Sequence, residues 1–168
     1  MNFNQSTISM VGALTNGIRV DTATLAAASY FNQAQHELFT VYGRIKIHNL
    51  FGEVTTIFSN NAATLQYNFT SSSPVIAVQP LCAACASVAQ LAVGERIWWV
   101  GGAVATAAVL TATPGISDIN VTPQVVGTIG GTASIGILTA AANLSSGGVV
   151  FSICYTPMSD GAYVVAQV

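Results

Sequence analysis

The chain has 168 residues, enough for one domain whose core needs no disulfide. Four basic and six acidic side chains make up 6% of it, against roughly a quarter in ordinary soluble domains, while 52% is hydrophobic and the mean hydropathy is +0.60. A net charge of −2 with no basic stripe argues against nucleic acid as the main partner, and so little charge implies a surface largely covered by protein or lipid.

Residues 1–36 read as an N-terminal arm. They are rich in Asn, Gln, Thr, Ser and Ala, with scattered apolar anchors at Met10, Leu14, Ile18 and Val20. Thr22 is placed to cap a short helix running through Leu25 and Ala28 to Phe31. Two readings stay open for this segment: a loose terminus, or an arm that orders on a neighbouring subunit. Met1 to Val11 has no basic region followed by an apolar run, so synthesis in a cytoplasm is expected.

Residues 37–168 read as the main domain. Phe39, Val41, Gly43, Ile45 and Ile47 alternate with Thr40, Tyr42, Arg44, Lys46 and His48. That period of two predicts a strand with one buried and one wet face. Gly52 is expected to mark a bend or bulge before a second strand, Glu53 to Phe58. Asn60-Asn61 reads as a turn, Thr64 to Phe69 as a strand, Ser71 to Pro74 as a loop and Val75 to Val78 as a short strand. Leu81 to Leu91 suits either a short helix or an irregular segment.

Further strands are predicted at Arg96 to Val100, Val104 to Leu110, Ile119 to Val126, Ser134 to Leu138, Val149 to Tyr155 and Tyr163 to Gln167. Gly, Pro, Ser and Asp punctuate them, as at Gly130-Gly131 and Ser159-Asp160-Gly161. Many short strands predict an all-β fold: an antiparallel β-sandwich or barrel, jelly-roll-like, behind an extended, partly irregular arm. Ile97 to Ser117 carries no charge and is long enough to cross a bilayer. Its Thr, Gly, Pro and Ala content argues against insertion, so no membrane is expected as a partner.

The supply of catalytic groups is small. Only His36 and His48 are imidazoles, and His48 reads as a solvated strand position beside Arg44 and Lys46. Asp21, Glu37, Glu53, Glu95, Asp118 and Asp160 form no evident acid–base pair. No phosphate loop, dinucleotide fingerprint, zinc-protease motif or nucleophile elbow is present. Cys82 and Cys85 have the spacing of a redox or zinc motif, but no second ligand pair accompanies them, so they read as small buried thiols. No enzyme activity, catalytic residue, cofactor or metal is therefore expected. Asn68-Phe69-Thr70 and Asn143-Leu144-Ser145 match the glycosylation pattern without other support.

Trp98 and Trp99 are adjacent in a predicted strand, so they point to opposite faces. Either one fills the core while the other meets a partner, ligand or solvent, or both are buried in a doubly covered sheet. Trp98, Trp99, Tyr42 and Arg44 are the candidate interaction residues.

Two segments carry a family resemblance. Leu38-Phe39-Thr40-Val41-Tyr42-Gly43-Arg44-Ile45-Lys46-Ile47 runs into Gly52-Glu53-Val54-Thr55-Thr56. The closing Val149-Val150-Phe151-Ser152-Ile153-Cys154-Tyr155-Thr156-Pro157-Met158-Ser159-Asp160-Gly161-Ala162 is an apolar strand, an aromatic, a Pro and a Ser-Asp-Gly turn. Both resemble the opening and closing strands of small virion proteins of tailed bacteriophages, chiefly capsid decoration (cement) proteins. The resemblance implies a non-enzymatic, often trimeric protein on the outer capsid surface, made in the host cytoplasm, that binds the major capsid protein and reinforces the lattice. The alternative is another virion component: a tail-tube, head–tail joining or fibre-base protein.

Overall fold

The structure is a computed structural model that describes residues 17–72, 75–101, 106–111 and 122–167. As expected, the fold is all-β. The strands are β1 Ile18–Asp21, β2 Leu25–Ala26, β3 Gln35–Thr56, β4 Thr64–Ser72, β5 Val75–Pro80, β6 Arg96–Trp98, β7 Val109–Thr111, β8 Gln124–Ala140, β9 Gly148–Pro157 and β10 Tyr163–Ala166. One four-residue helix, α1 Ala27–Tyr30, follows β2. The strands pair antiparallel in one sheet of order β1-β9-β3-β8-β4-β5, with β10 and β6 also on β3, β2 on β9, and β7 on β6. The path is open, ending at β1 and β5, so the closure of a sandwich or barrel is not seen among the described residues. The sheet bends over its own core instead. Tyr67 on β4 meets Phe151 on β9 edge to face at 6.2 Å, although β3 and β8 lie between those strands in the order.

The central strand is β3, which runs as one element through Gly52 where a bend or bulge before a second strand was expected. Gly52 serves close approach: a Cβ there would lie 2.7 Å from the Phe151 ring. Phe39, Val41, Ile45 and Ile47 are buried and Tyr42 and Arg44 exposed, as the alternation requires. The irregularity comes earlier, between Ile47 and Asn49, where the register against β9 slips. One extra residue exchanges the faces of a strand. Beyond it Leu50 and Val54 face the core, while Phe51 and Glu53 join the face that carries Tyr42 and Arg44.

The arm reading is corrected for its second half; residues 1–16 lie outside the described residues. β1 and β2 pair with β9, and Leu25, Ala27 and Phe31 are core residues, so residues 17–36 belong to the sheet domain. Deleting residues 1–35 would therefore remove core. The expected helix shrinks to α1, whose N-cap is Ala26 with no side-chain bond. The Thr22 hydroxyl is occupied elsewhere: its oxygen accepts from the Phe151 N–H at 3.0 Å, and it donates to the Ala23 carbonyl at 2.8 Å. Four residues are too few to hold a helix without tertiary support, and here the β9 backbone supplies the stronger partner.

Leu81 to Leu91 is irregular and buries Leu81, Cys82, Cys85, Val88 and Leu91 against the core. It is fixed by main-chain bonds to β4 and its approach, Cys85 N–H to Leu65 and Val88 N–H to Ala63, each 2.8 Å. The predicted strand 104–110 survives as β7; residues 102–105 and 112–121 lie outside the described residues. The expected strands on either side of Gly130-Gly131 are one element, β8. Its register on β3 jumps from Tyr42↔Thr132 to Arg44↔Gly127, so residues 128–131 loop out of the ladder.

Candidate interaction surface

Trp98 and Trp99 do point to opposite faces. Trp99 is fully buried in the core, its indole N–H donating to the Leu81 carbonyl at 3.0 Å. Trp98 is 4% exposed but stands outside the core cluster, its ring 4.5 Å from that of its cross-strand partner Phe51 and tilted by 34°. Arginines cover that pair. The Arg96 guanidinium lies 5.0 Å from the Phe51 ring centre and 5.7 Å from that of Trp98. Arg96 is held by Glu53 at 2.7 Å. Arg19 lies 5.7 Å from the Phe51 centre, 2.7 Å from Asp21 and 3.1 Å from the Ser152 hydroxyl.

The register builds this cluster: Phe51 faces Trp98 and Ser152, Glu53 faces Arg96, and Asp21 faces Ser152. Both ion pairs among the described residues sit here, using four of the chain's ten charged side chains. Burial pulls the Asp21 carboxyl up, but the Ser152 hydroxyl and Arg19 outweigh it and hold it below its ordinary value. The Arg19–Asp21 pair is half exposed, so it adds little stability. The cluster is a neutralised cap on two aromatic rings. Among the described residues one group in it is unsatisfied: the Trp98 indole N–H is buried with no acceptor.

The other end of the same face is open. Tyr42 stacks on Tyr163 of β10 at 4.5 Å and 15°, and the two are 36% and 47% exposed. Val165 and Met158 are exposed too. Arg44 is exposed and takes part in neither ion pair of the described residues. Its N–H donates to the Ser159 hydroxyl at 3.1 Å, and its carbonyl accepts from Met158 N–H at 2.8 Å, which fixes the backbone under the side chain. About 25–30 Å of strand separates Tyr42 from Phe51 at the usual rise.

The four residues singled out in the sequence are thus divided. Tyr42 and Arg44 stand together in the open, Trp98 lies under Arg96 on the same face, and Trp99 is core. Sequence reading missed Tyr163, Phe51, Arg19, Arg96 and Glu53. The Ser-Asp-Gly turn places Tyr163 at the start of a strand, but only the β10–β3 register puts it on Tyr42. The face of Phe51 was hidden by the slip after Ile47.

The remaining titratable groups are tied to structure. His48 is half-buried rather than solvated, its Nε2 2.8 Å from the Thr156 hydroxyl, and burial together with Lys46 lowers its pKa. His36 Nε2 lies 2.8 Å from the Asn32 side-chain Oδ1 and the ring lies against that of Tyr30, and burial lowers its pKa. Asn68 is buried, which excludes glycosylation of the folded chain there; Asn143 is exposed and accepts from Gln33 at 2.9 Å. Among the described residues no three His, Cys, Asp or Glu side chains are grouped to hold a metal, and no helix is long and apolar enough to cross a membrane.

Cys82 and Cys85 are free, buried thiols. Burial pushes the Cys85 pKa up to about 11, and its sulfur accepts from the Leu65 N–H. The folded state therefore favours the neutral thiol. The Cys85 contribution to stability is expected to be level in pH below the ordinary thiol value of 9.0 and to fall as pH rises from there towards 11. Urea midpoints at pH 8 and pH 10.5 check this; Cys85→Ala should flatten the decline, and an equal decline in that variant would assign it elsewhere.

No protein-family model matches the chain, and neither a curated protein nor a solved structure matches it.

Proposed function

We propose that this chain is a non-enzymatic virion protein that docks on the outer surface of a phage capsid and braces its lattice. The observation that carries the reading is the exposed Tyr42–Tyr163 stack beside Val165 and Arg44, which is in neither ion pair of the described residues, on a sheet face otherwise capped by neutralised charges. Tyr and Arg dominate the energetic centres of protein interfaces, and such centres are depleted in charge. The resemblance to decoration proteins adds support. Its two segments are far apart in sequence yet form neighbouring strands, β3 and β9, with Ile45 opposite Pro157 and Val54 opposite Val149. The partner is the major capsid protein, met by a homotrimer of this chain, with binding and no turnover as the mechanism.

Co-sedimentation with capsids assembled without this chain tests the reading. Saturable binding is expected, and Tyr42→Ala with Tyr163→Ala should weaken it about 30-fold or more, the effect of losing one interface anchor. Both side chains lie outside the core, so the variant should keep its tryptophan emission and melting temperature. Failure of the native protein to bind, with rings or tubes forming alone, would move it to the tail.

A further inference from the structure

Given the reading above that this face docks on a protein, we propose that the surface around Tyr42, Arg44 and Lys46 receives an extended acidic segment of that partner. The segment sets an apolar side chain against the tyrosines and carboxylates at alternate positions on Arg44 and Lys46. The ladder registers assemble the surface in rows. Tyr163, Tyr42 and Thr132 form one row across β10, β3 and β8. Arg44 stands in the next, opposite Gly127 on β8, its main-chain oxygen accepting from the Met158 N–H on the other side. Lys46 stands in the third, between Thr156 on β9 and Val125 on β8. Ile45, between the two bases, is core, so Arg44 and Lys46 project from the opposite face, about 7 Å apart along the strand. Tyr42, Tyr163, Met158 and Val125 are exposed around them, and Lys46 is half-buried.

The charge in these rows has one sign. Of the chain's four basic side chains, Arg19 and Arg96 are held by Asp21 and Glu53, while Arg44 and Lys46 are in neither ion pair of the described residues. No Asp or Glu stands in the three rows. Glu37 lies near the start of β3, Glu95 accepts from the Ala92 N–H at 2.7 Å, and Asp160 is exposed in the turn between β9 and β10; Asp118 lies outside the described residues. Burial and then the charge of Lys46 lower the His48 pKa, so the field of Lys46 reaches two residues along the strand. Two like charges thus stand side by side among exposed Tyr, Met and Val. Their complement is a pair of carboxylates on the partner.

Two cations do not make the stripe of bases that nucleic acid requires. Aromatic and apolar side chains around a few charges are the composition of a protein interface. Alternate residues of a strand advance about 6.7 Å. An extended partner keeps that step, so one apolar residue and two acids at alternate positions stay over Tyr42, Arg44 and Lys46. A helix advances about 5.4 Å per turn and falls out of step with them.

The test is a synthetic peptide with a leucine at each end, two glutamates at alternate positions and serines between, titrated into the native protein and followed by amide NMR. Saturable shifts are expected at Tyr42, Arg44, Lys46 and Val125. The same peptide with glutamines should bind at least about tenfold more weakly, the effect of losing close interfacial charge pairs. Arg44→Glu with Lys46→Glu should reverse the preference, favouring a lysine version of the peptide. Neither side chain belongs to the core, so that variant should keep the native melting temperature. Lys46 is the chain's one lysine, so a carbodiimide, which condenses an amine with a carboxylate and leaves as its urea, should join Lys46 to the glutamate peptide. No binding of the glutamate peptide, whether a second copy closes this face or nothing fits it, overturns the proposal. Equal binding of the glutamate and glutamine peptides overturns it too, as does tighter binding of duplex DNA at the same residues. Capsid binding that is unchanged in the charge-reversed variant would remove this inference and leave the capsid reading. Peptide binding without capsid binding would do the opposite.

Discussion

Trp99→Ala is expected to destabilise the fold by about 3–5 kcal/mol, the usual cost of truncating a buried Trp. Trp99 is completely buried, packs in the core and satisfies the Leu81 carbonyl. Its removal leaves both a cavity and an unpaired acceptor beneath the irregular segment that begins at Leu81. A loss of that size is a large part of the total stability of any domain. Trp98→Ala is expected to cost less. Its ring lies outside the core, and the Arg96 and Phe51 side chains beside it can settle over the gap. Urea unfolding of the two variants gives the comparison. Equal losses would mean that both faces of β6 are core, contrary to the placement of Trp98.

Gly127→Ala is the second large effect. Gly127 has φ +83°, and a Cβ there would lie 2.2 Å from the Gly43 carbonyl oxygen. The left-handed backbone alone costs a non-glycine residue about 1–3 kcal/mol. The contact adds to this, because the obstruction is main chain that cannot rotate away. Gly127 sits where the β3–β8 register jumps past residues 128–131, so the strands must part or the jump must move. A fall in melting temperature is expected, together with faster amide exchange at Tyr42 and Arg44. A native melting temperature would show that the jump is soft.

The jump and the bulge mark where sequence reading reached its limit. The alternation from Phe39 to Ile47 named Phe39, Val41, Ile45 and Ile47 as buried correctly, since period-two burial is written into one strand by itself, although Thr40 from the predicted wet set is buried too. The same reading stopped at Gly52 and could not place Phe51, because the slip after Ile47 arises from pairing with β9, a strand about a hundred residues away in sequence. Gly130-Gly131 read as a break between strands, because glycine marks both turns and bulges; only β3, running alongside, decided for one strand. Thr22 read as a cap, because a free hydroxyl before an Ala-rich stretch has that use locally. The β9 backbone claimed it.

The candidate surface divides in the same way. Tyr42 and Arg44 were legible as the wet face of a strand, and Trp98 and Trp99 as residues on opposite faces. Which tryptophan was core, and that Tyr163 would lie on Tyr42, depended on strand pairs distant in sequence.

By itself the sequence determined the all-β class, the uncharged character, most strand positions and the burial alternation along regular stretches such as Val41 to Ile47. These follow from local propensity and from the poverty of charge, which need no partner to be expressed. The tertiary structure decided the strand order, the inclusion of residues 17–36 in the sheet domain and the arginine cap over Phe51 and Trp98. Each of these depends on which backbone donors meet which acceptors across long stretches of chain, and in a sheet that choice is made by pairing between strands and not within them.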